Sequence, residues 1–230
     1  MIRILIFCEG QTEEEFVRGL LVPHFSLLGA YVSYKMFHTK RTPVKGSIPK
    51  GGLGSYEKVK KQIVDVCKHD RNQIVTTMID FYGLPDDFSR IGLDKMNGSI
   101  EHAIEIENRF SDDIRCRNFI ANFVIHEFEA LLFSKPSAFQ GLFHDESVKI
   151  IQSMTDKHET PEHINSGVDT SPSKRLINNL YNYCDNRKVY DYNKMKHGLK
   201  VASDITLQTM REKCRHFNDW ITRLENLITP

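Results

Sequence analysis

Apolar residues fall along this chain in short strand-like runs separated by helical stripes, and the alternation predicts an α/β fold. Ile2 to Phe7 is an apolar, β-branched run, the pattern of a strand buried on both faces. It ends in Cys8-Glu9-Gly10-Gln11-Thr12-Glu13-Glu14-Glu15, where Thr12 and Glu15 have capping-box spacing. Phe16, Val17, Leu20 and Leu21 then continue at helical spacing. Ala30 to His38 reads as a second strand, Tyr56 to Lys68 as a helix, and Gln73 to Ile79 as a strand stopped by Gly83 and Pro85. Ser99 to Phe110 predicts a helix and Asn118 to Ile125 a further buried strand. His126 through Phe133 turns into another helix, and from Ser134 onward the pattern is helical and more polar. Cys214, Phe217, Trp220, Ile221, Leu224 and Leu227 form one face of the last helix, suited to core or cap packing. The expected organisation is an α/β core over residues 1–135 and a helical part over 136–230 packed on it.

Composition narrows the class. No apolar run approaches the ~18–20 residues of a membrane-spanning helix, so no membrane partner is expected. The apolar N-terminus is too short for a signal peptide and runs into Glu9 rather than a small-residue cleavage site. Five scattered cysteines contain no C-x-x-C pair, which argues against a zinc knuckle or a disulfide framework and for a reducing, cytoplasmic setting. Net charge is +1, so affinity for nucleic acid must come from local patches.

Three predicted strands end alike, with an acid at or just past the carboxyl end: Glu9, Asp80 and Glu127. In open parallel sheets ligands bind outside the carboxyl ends of the strands. Carboxylates that converge there need a positive charge between them. Hard oxygen ligands suit Mg²⁺ or Mn²⁺, ions that bridge to phosphate oxygens and activate water. The pattern therefore points to phosphodiester chemistry. Each acid also has a plainer role: Glu13, Glu14 and Glu15 as first-turn helix acids, Asp80 as a turn cap, Glu127 and Glu129 as helix N-terminal acids.

Glu9-Gly10-Gln11-Thr12-Glu13, Met78 to Pro85 and His126-Glu127-Phe128-Glu129-Ala130-Leu131-Leu132-Phe133 resemble a bacterial domain-of-unknown-function family with a Toprim-like fold. That family is related to the nuclease part of the overcoming-lysogenization-defect (OLD) proteins and often sits beside an ABC-type ATPase. The resemblance extends to Gly51-Gly52, Ser55-Tyr56, Ser171 to Arg175 and Cys214 to Trp220. It implies a Toprim-like parallel sheet flanked by helices, with a helical C-terminal extension. It also implies Glu9 as general base or metal ligand, Glu13 as the second acid one helical turn later, and Asp80 as the first acid of an Asp-x-Asp pair. Position 82 is Tyr where that pair has its second Asp, so Glu127 or Glu129 would supply the missing ligand.

Other features bear on substrate contact. The Gly- and Lys-rich stretch with Lys40, Arg41, Lys45 and Lys50 offers either a phosphate cradle or a surface loop, and it is not a Walker A sequence. Lys174 and Arg175 begin a helix after Ser171-Pro172 and are candidates to neutralise phosphate. Lys194, Lys196, His197 and Lys200 form a second basic cluster. The expectation is a Mg²⁺- or Mn²⁺-dependent nuclease acting on DNA or RNA, the effector of an ATPase-associated phage-defence system. The alternative is a catalytically silent module that binds the ATPase or nucleic acid, with a small-molecule phosphotransfer enzyme third.

Overall fold

The structure, a computed structural model, describes residues 1–38, 53–94, 97–164, 167 and 169–228. The chain forms two compact units, residues 1–124 with 225–230 and residues 125–224.

The first unit is α/β. Strand β1 (Arg3–Cys8) leads into helix α1 (Gln11–Phe16), a π turn (Val17–Leu21) and helix α2 (Val22–Leu27), followed by β2 (Tyr31–Met36). Next come α3 (Tyr56–His69), β3 (Gln73–Asp80), a 3-10 turn (Asp86–Ile91), α4 (Ile100–Ile114) and two short strands, β4 (Phe119–Ile120) and β5 (Phe123–Val124). All five strands are parallel, in the order β2-β1-β3-β4, with β5 also paired to β3. From Ile4 to Cys8 every residue of β1 is buried, as a central parallel strand covered on both faces requires. Ile4, Ile6 and Phe7 are fully buried, and each contributes about 1.5–3 kcal/mol by leaving water.

The direction of winding reverses at β1. The β1–β2 connection moves to one side, whereas β3 lies on the other side and the chain continues outward to β4. Right-handed crossovers therefore put α1 and α2 on one face of the sheet and α3 and α4 on the other. The gap between the carboxyl ends of β1 and β3 is thus a topological switch point, where such sheets open a crevice.

Local details depart from the sequence pattern. Helix α1 starts at Gln11 after an extended Gly10, with no side-chain cap, so Thr12 and Glu13 lie inside the helix and are buried. The predicted capping box is absent because Gly10 lets the chain turn two residues earlier. The predicted strand 118–125 is one strand interrupted at Ala121-Asn122, with β4 and β5 keeping the same offset to β3. Into the gap the Thr77 hydroxyl inserts, donating to the Asn122 carbonyl (2.7 Å) and accepting from its amide (3.0 Å). The Asn122 side-chain amide donates to the Thr77 carbonyl at 3.1 Å.

The second unit is mainly helical. Its centre is the 3-10 segment Phe128–Ser134, buried at all seven positions. Around it pack α5 (Asp145–Thr155), α6 (Pro172–Asn179), α7 (Lys194–Ile205) and α8 (Leu207–Lys213); α9 (Arg215–Asn226) follows. Residues 128–133 are apolar apart from Glu129 and have no polar face, which suits a core segment, and they form a 3-10 segment where a helix was predicted. A hairpin, β6 (Tyr181–Cys184) with β7 (Arg187–Tyr190), interrupts the helices and had no counterpart in the predicted elements. Among the described residues no helix is long and apolar enough to cross a membrane.

Candidate functional site

The switch point of the first unit carries Glu9 and Asp80. The Glu9 amide donates to the Met78 carbonyl at 3.2 Å, which extends the β1–β3 ladder one step past the end of β1. The Asp80 amide in turn donates to Glu9 Oε2 at 3.2 Å. The chain then folds back in a tight turn, closed by the Gly83 amide on the Asp80 carbonyl at 3.0 Å. This turn lays Gly83 against the Glu9 carboxylate: a Cβ at position 83 would stand 3.1 and 3.2 Å from its two oxygens. Gly83 was legible in sequence as a strand stop, whereas its close approach to Glu9 depends on a register that only the fold supplies.

Glu13 lies one turn along from Glu9 and is 2 % exposed. Its Oε1 is buried without a hydrogen-bond partner, and its Oε2 lies 3.1 Å from where a Gly10 Cβ would be. Among the described residues no Lys or Arg pairs with it. An ionised carboxylate so placed costs several kcal/mol unless a proton or a cation neutralises it. The neighbouring Cys8 thiol, fully buried, is pushed well above its ordinary pKa by burial first and by the charges of Glu13 and Glu14 after it. Cys8 is therefore protonated and inert at neutral pH.

These residues fit a hard divalent cation in one respect and limit it in another. The orphaned Glu13 oxygen and the glycines packed against Glu9 and Glu13 leave oxygen donors at a crowded, negatively charged corner. Among the described residues, however, no group of three or more His, Cys, Asp or Glu side chains is arranged to hold an ion. Mg²⁺ is commonly held by one or two carboxylates, several waters and substrate phosphates, so a two-acid corner suffices for that mode of binding.

The remaining predicted site residues belong to the second unit. Glu127 is half-buried and its Oε2 accepts the Ser173 amide at 2.9 Å, so it caps the first turn of α6. The same turn carries Lys174, exposed, and Arg175, whose Nε donates to the Thr170 carbonyl at 2.7 Å. Glu127 and the two cations are thus brought to one helix terminus. Glu129 is 2 % exposed within the central 3-10 segment, and burial together with the charges of Glu129 and Glu127 raises the pKa of Tyr192. His126 is buried with a left-handed backbone (φ 64°), and burial lowers its pKa to about 4 against a hydrogen bond to the Glu162 backbone. Glu162, not singled out from sequence, is buried and accepts the amides of His216 (3.0 Å) and Phe217 (2.9 Å) at the start of α9. Burial raises its pKa and the two amides oppose the rise.

Two other predicted features have definite fates. In the basic cluster on α7, Lys196 pairs with Asp191 (3.4 Å), Lys200 pairs with Asp204 (3.0 Å), and His197 is buried. The Gly- and Lys-rich stretch, including Lys40, Arg41, Lys45 and Lys50, lies outside the described residues.

A parallel α/β sheet with two acids at its switch point defines a class of α/β proteins by fold and leaves the chemistry open. Residues 8–225 match the family described as Domain of unknown function (DUF4276), and the chain belongs to it. No curated protein and no solved structure matches the chain significantly.

Proposed function

We propose that this protein is a metal-dependent nuclease with a Toprim-like arrangement of acids, acting on DNA or RNA. The observation that carries the reading is the Glu9–Asp80 corner. Two acidic residues from adjacent parallel strands meet at the switch point, with Glu13, whose Oε1 is buried without a hydrogen-bond partner, one turn away. Glu9 and Asp80 would hold Mg²⁺ or Mn²⁺, with Glu13 adding negative charge behind them or a further ligand. Held there, such an ion would supply Lewis-acid chemistry toward a phosphoryl group and water. The chain's own contribution is to fix Glu9 through the Asp80 amide and to keep room beside it with Gly83. Glu9 is also the candidate general base. Lys174 and Arg175 are candidates to neutralise phosphate. The resemblance to OLD-type proteins extends this to a cytoplasmic effector working with an ABC-type ATPase in phage defence.

A second reading, a silent module that binds nucleic acid or the ATPase, is favoured by one feature: Tyr82 stands where the second Asp of the pair belongs. The test is incubation of purified protein with plasmid, single-stranded DNA and tRNA, in Mg²⁺, Mn²⁺ or chelator, with and without the neighbouring ATPase and ATP. Cleavage that needs metal and disappears in Glu9→Gln and Asp80→Asn supports the nuclease. A wild type that leaves every substrate intact with partner, metal and ATP present sinks it in favour of the silent module.

A further inference from the structure

The β6–β7 hairpin presents a surface that the acid corner does not explain. Tyr181 pairs with Tyr190 and Tyr183 with Lys188 across an antiparallel ladder, so these four side chains share one face. Three rings pack edge to face, Tyr181 with Tyr190 at 5.7 Å and Tyr181 with Tyr183 at 5.6 Å, and His144 adds a contact to Tyr183 at 4.9 Å. Lys188 Nζ sits over the Tyr181 ring at 4.2 Å. The base of this face is fixed: Tyr181 is buried, its carbonyl accepts the His144 amide at 2.9 Å, and the Asn182 side chain donates to the Leu142 carbonyl at 2.9 Å. The outer part is open. Tyr183 is 46 % and Tyr190 54 % exposed, and all four residues of β7 are exposed. The turn is Asp185-Asn186 with left-handed backbone at both positions (φ 48° and 60°), the tight two-residue connection that keeps such a hairpin stiff.

We infer that this hairpin face is a binding platform for single-stranded nucleic acid, with Tyr183 and Tyr190 stacking on bases and Lys188 contacting the backbone. Aromatic rings held rigidly beside cations are the elements with which sequence-tolerant proteins hold single strands, because every base offers a π face and every linkage a charge. Lys188, in register with Tyr183, puts a cation on the same face as the exposed rings, the pairing that a base with its charged linkage fits. A duplex keeps its bases stacked internally and has no free face to offer these rings.

The inference rests on nucleic acid being the ligand of the proposed nuclease, but it concerns binding and so is measured apart from turnover. Fluorescence anisotropy with labelled oligo-dT, oligo-U and a duplex of equal length, all in chelator, reads affinity with no metal at the acid corner. Both single strands should bind more tightly than the duplex, and comparison of oligo-dT with oligo-U separates DNA from RNA preference. Tyr183→Ala with Tyr190→Ala should weaken single-strand binding about tenfold or more, while the paired Phe substitutions retain it. Lys188→Ala should flatten the salt dependence. Equal affinity for duplex, no measurable single-strand binding, or unchanged affinity in the folded Tyr-to-Ala variant would each overturn the platform. If the platform variants behave as stated while the wild type cuts nothing, the nuclease reading fails and the platform stands.

Discussion

His126 offers the sharpest quantitative test. Burial lowers its pKa from 6.5 to about 4, so the folded unit holds a neutral imidazole where the unfolded chain would carry a charged one. Between those two values the unfolded state binds more protons, so stability is fully present above pH 6.5 and is lost as pH falls towards 4. At ~1.4 kcal/mol per pH unit, lowering the pH from 7.5 to 5 removes about 2 kcal/mol through this residue alone. The control is His126→Asn, because Asn tolerates the left-handed backbone at φ 64° and does not titrate. Glu162 titrates in the same unit with a raised pKa and an opposite sign, but it is present in both proteins and cancels in the comparison. Trp220, the chain's only tryptophan, is buried in the same unit, so urea unfolding followed by its fluorescence reports the region that holds His126. The wild type should lose about 2 kcal/mol more than the variant over that range, whatever their offset at neutral pH. Parallel pH profiles would show that His126 is charged or solvated in the native state and refute the argument.

Three further outcomes follow from the first unit. Glu13→Gln removes a buried charge, so in thermal melts the metal-free variant should be more stable by about 1 kcal/mol or more, and its stabilisation by Mn²⁺ should shrink. Gly83→Ala places a methyl 3.1–3.2 Å from the Glu9 oxygens, so calorimetric titration should show Mn²⁺ affinity reduced about tenfold with the fold retained; unchanged affinity would place the ion elsewhere. Thr77→Val leaves the Asn122 amide and carbonyl unsatisfied in the core and should cost about 3 kcal/mol in chemical unfolding, while Thr77→Ser should recover most of it.

The strands and their terminal acids were legible because a doubly covered parallel strand is apolar at nearly every position, and the acid marks where cover ends. Ile4 to Cys8 and Val75 to Ile79 both show this. The burial of Glu13 was not legible, since an acid in a first helical turn normally faces water and only the early start at Gly10 turns this one inward. The Thr12–Glu15 spacing matched a capping box for the same reason it misled: spacing carries no information about where the preceding glycine bends the chain. The hairpin escaped because β7 is wholly exposed and so shows no alternation, leaving Asp185-Asn186 and the flanking tyrosines as its sequence signal. Glu127 lay where an acid was expected, but its engagement by the Ser173 amide depends on a helix 46 residues further on.

The Thr77–Asn122 insertion has a consequence beyond the core. The strand it interrupts lies at the margin of the sheet, where an unbroken row of amides and carbonyls would invite a foreign strand to pair. Here the margin offers regular backbone only in two-residue pieces, Phe119–Ile120 and Phe123–Val124, and the amides of Ala121 and Phe123, which point away from β3, are already taken by α4, through Ser111 Oγ at 3.3 Å and Glu107 Oε1 at 2.7 Å. Thr77 holds the break from the inner side, and two side chains of α4 close the outer side against a neighbouring strand.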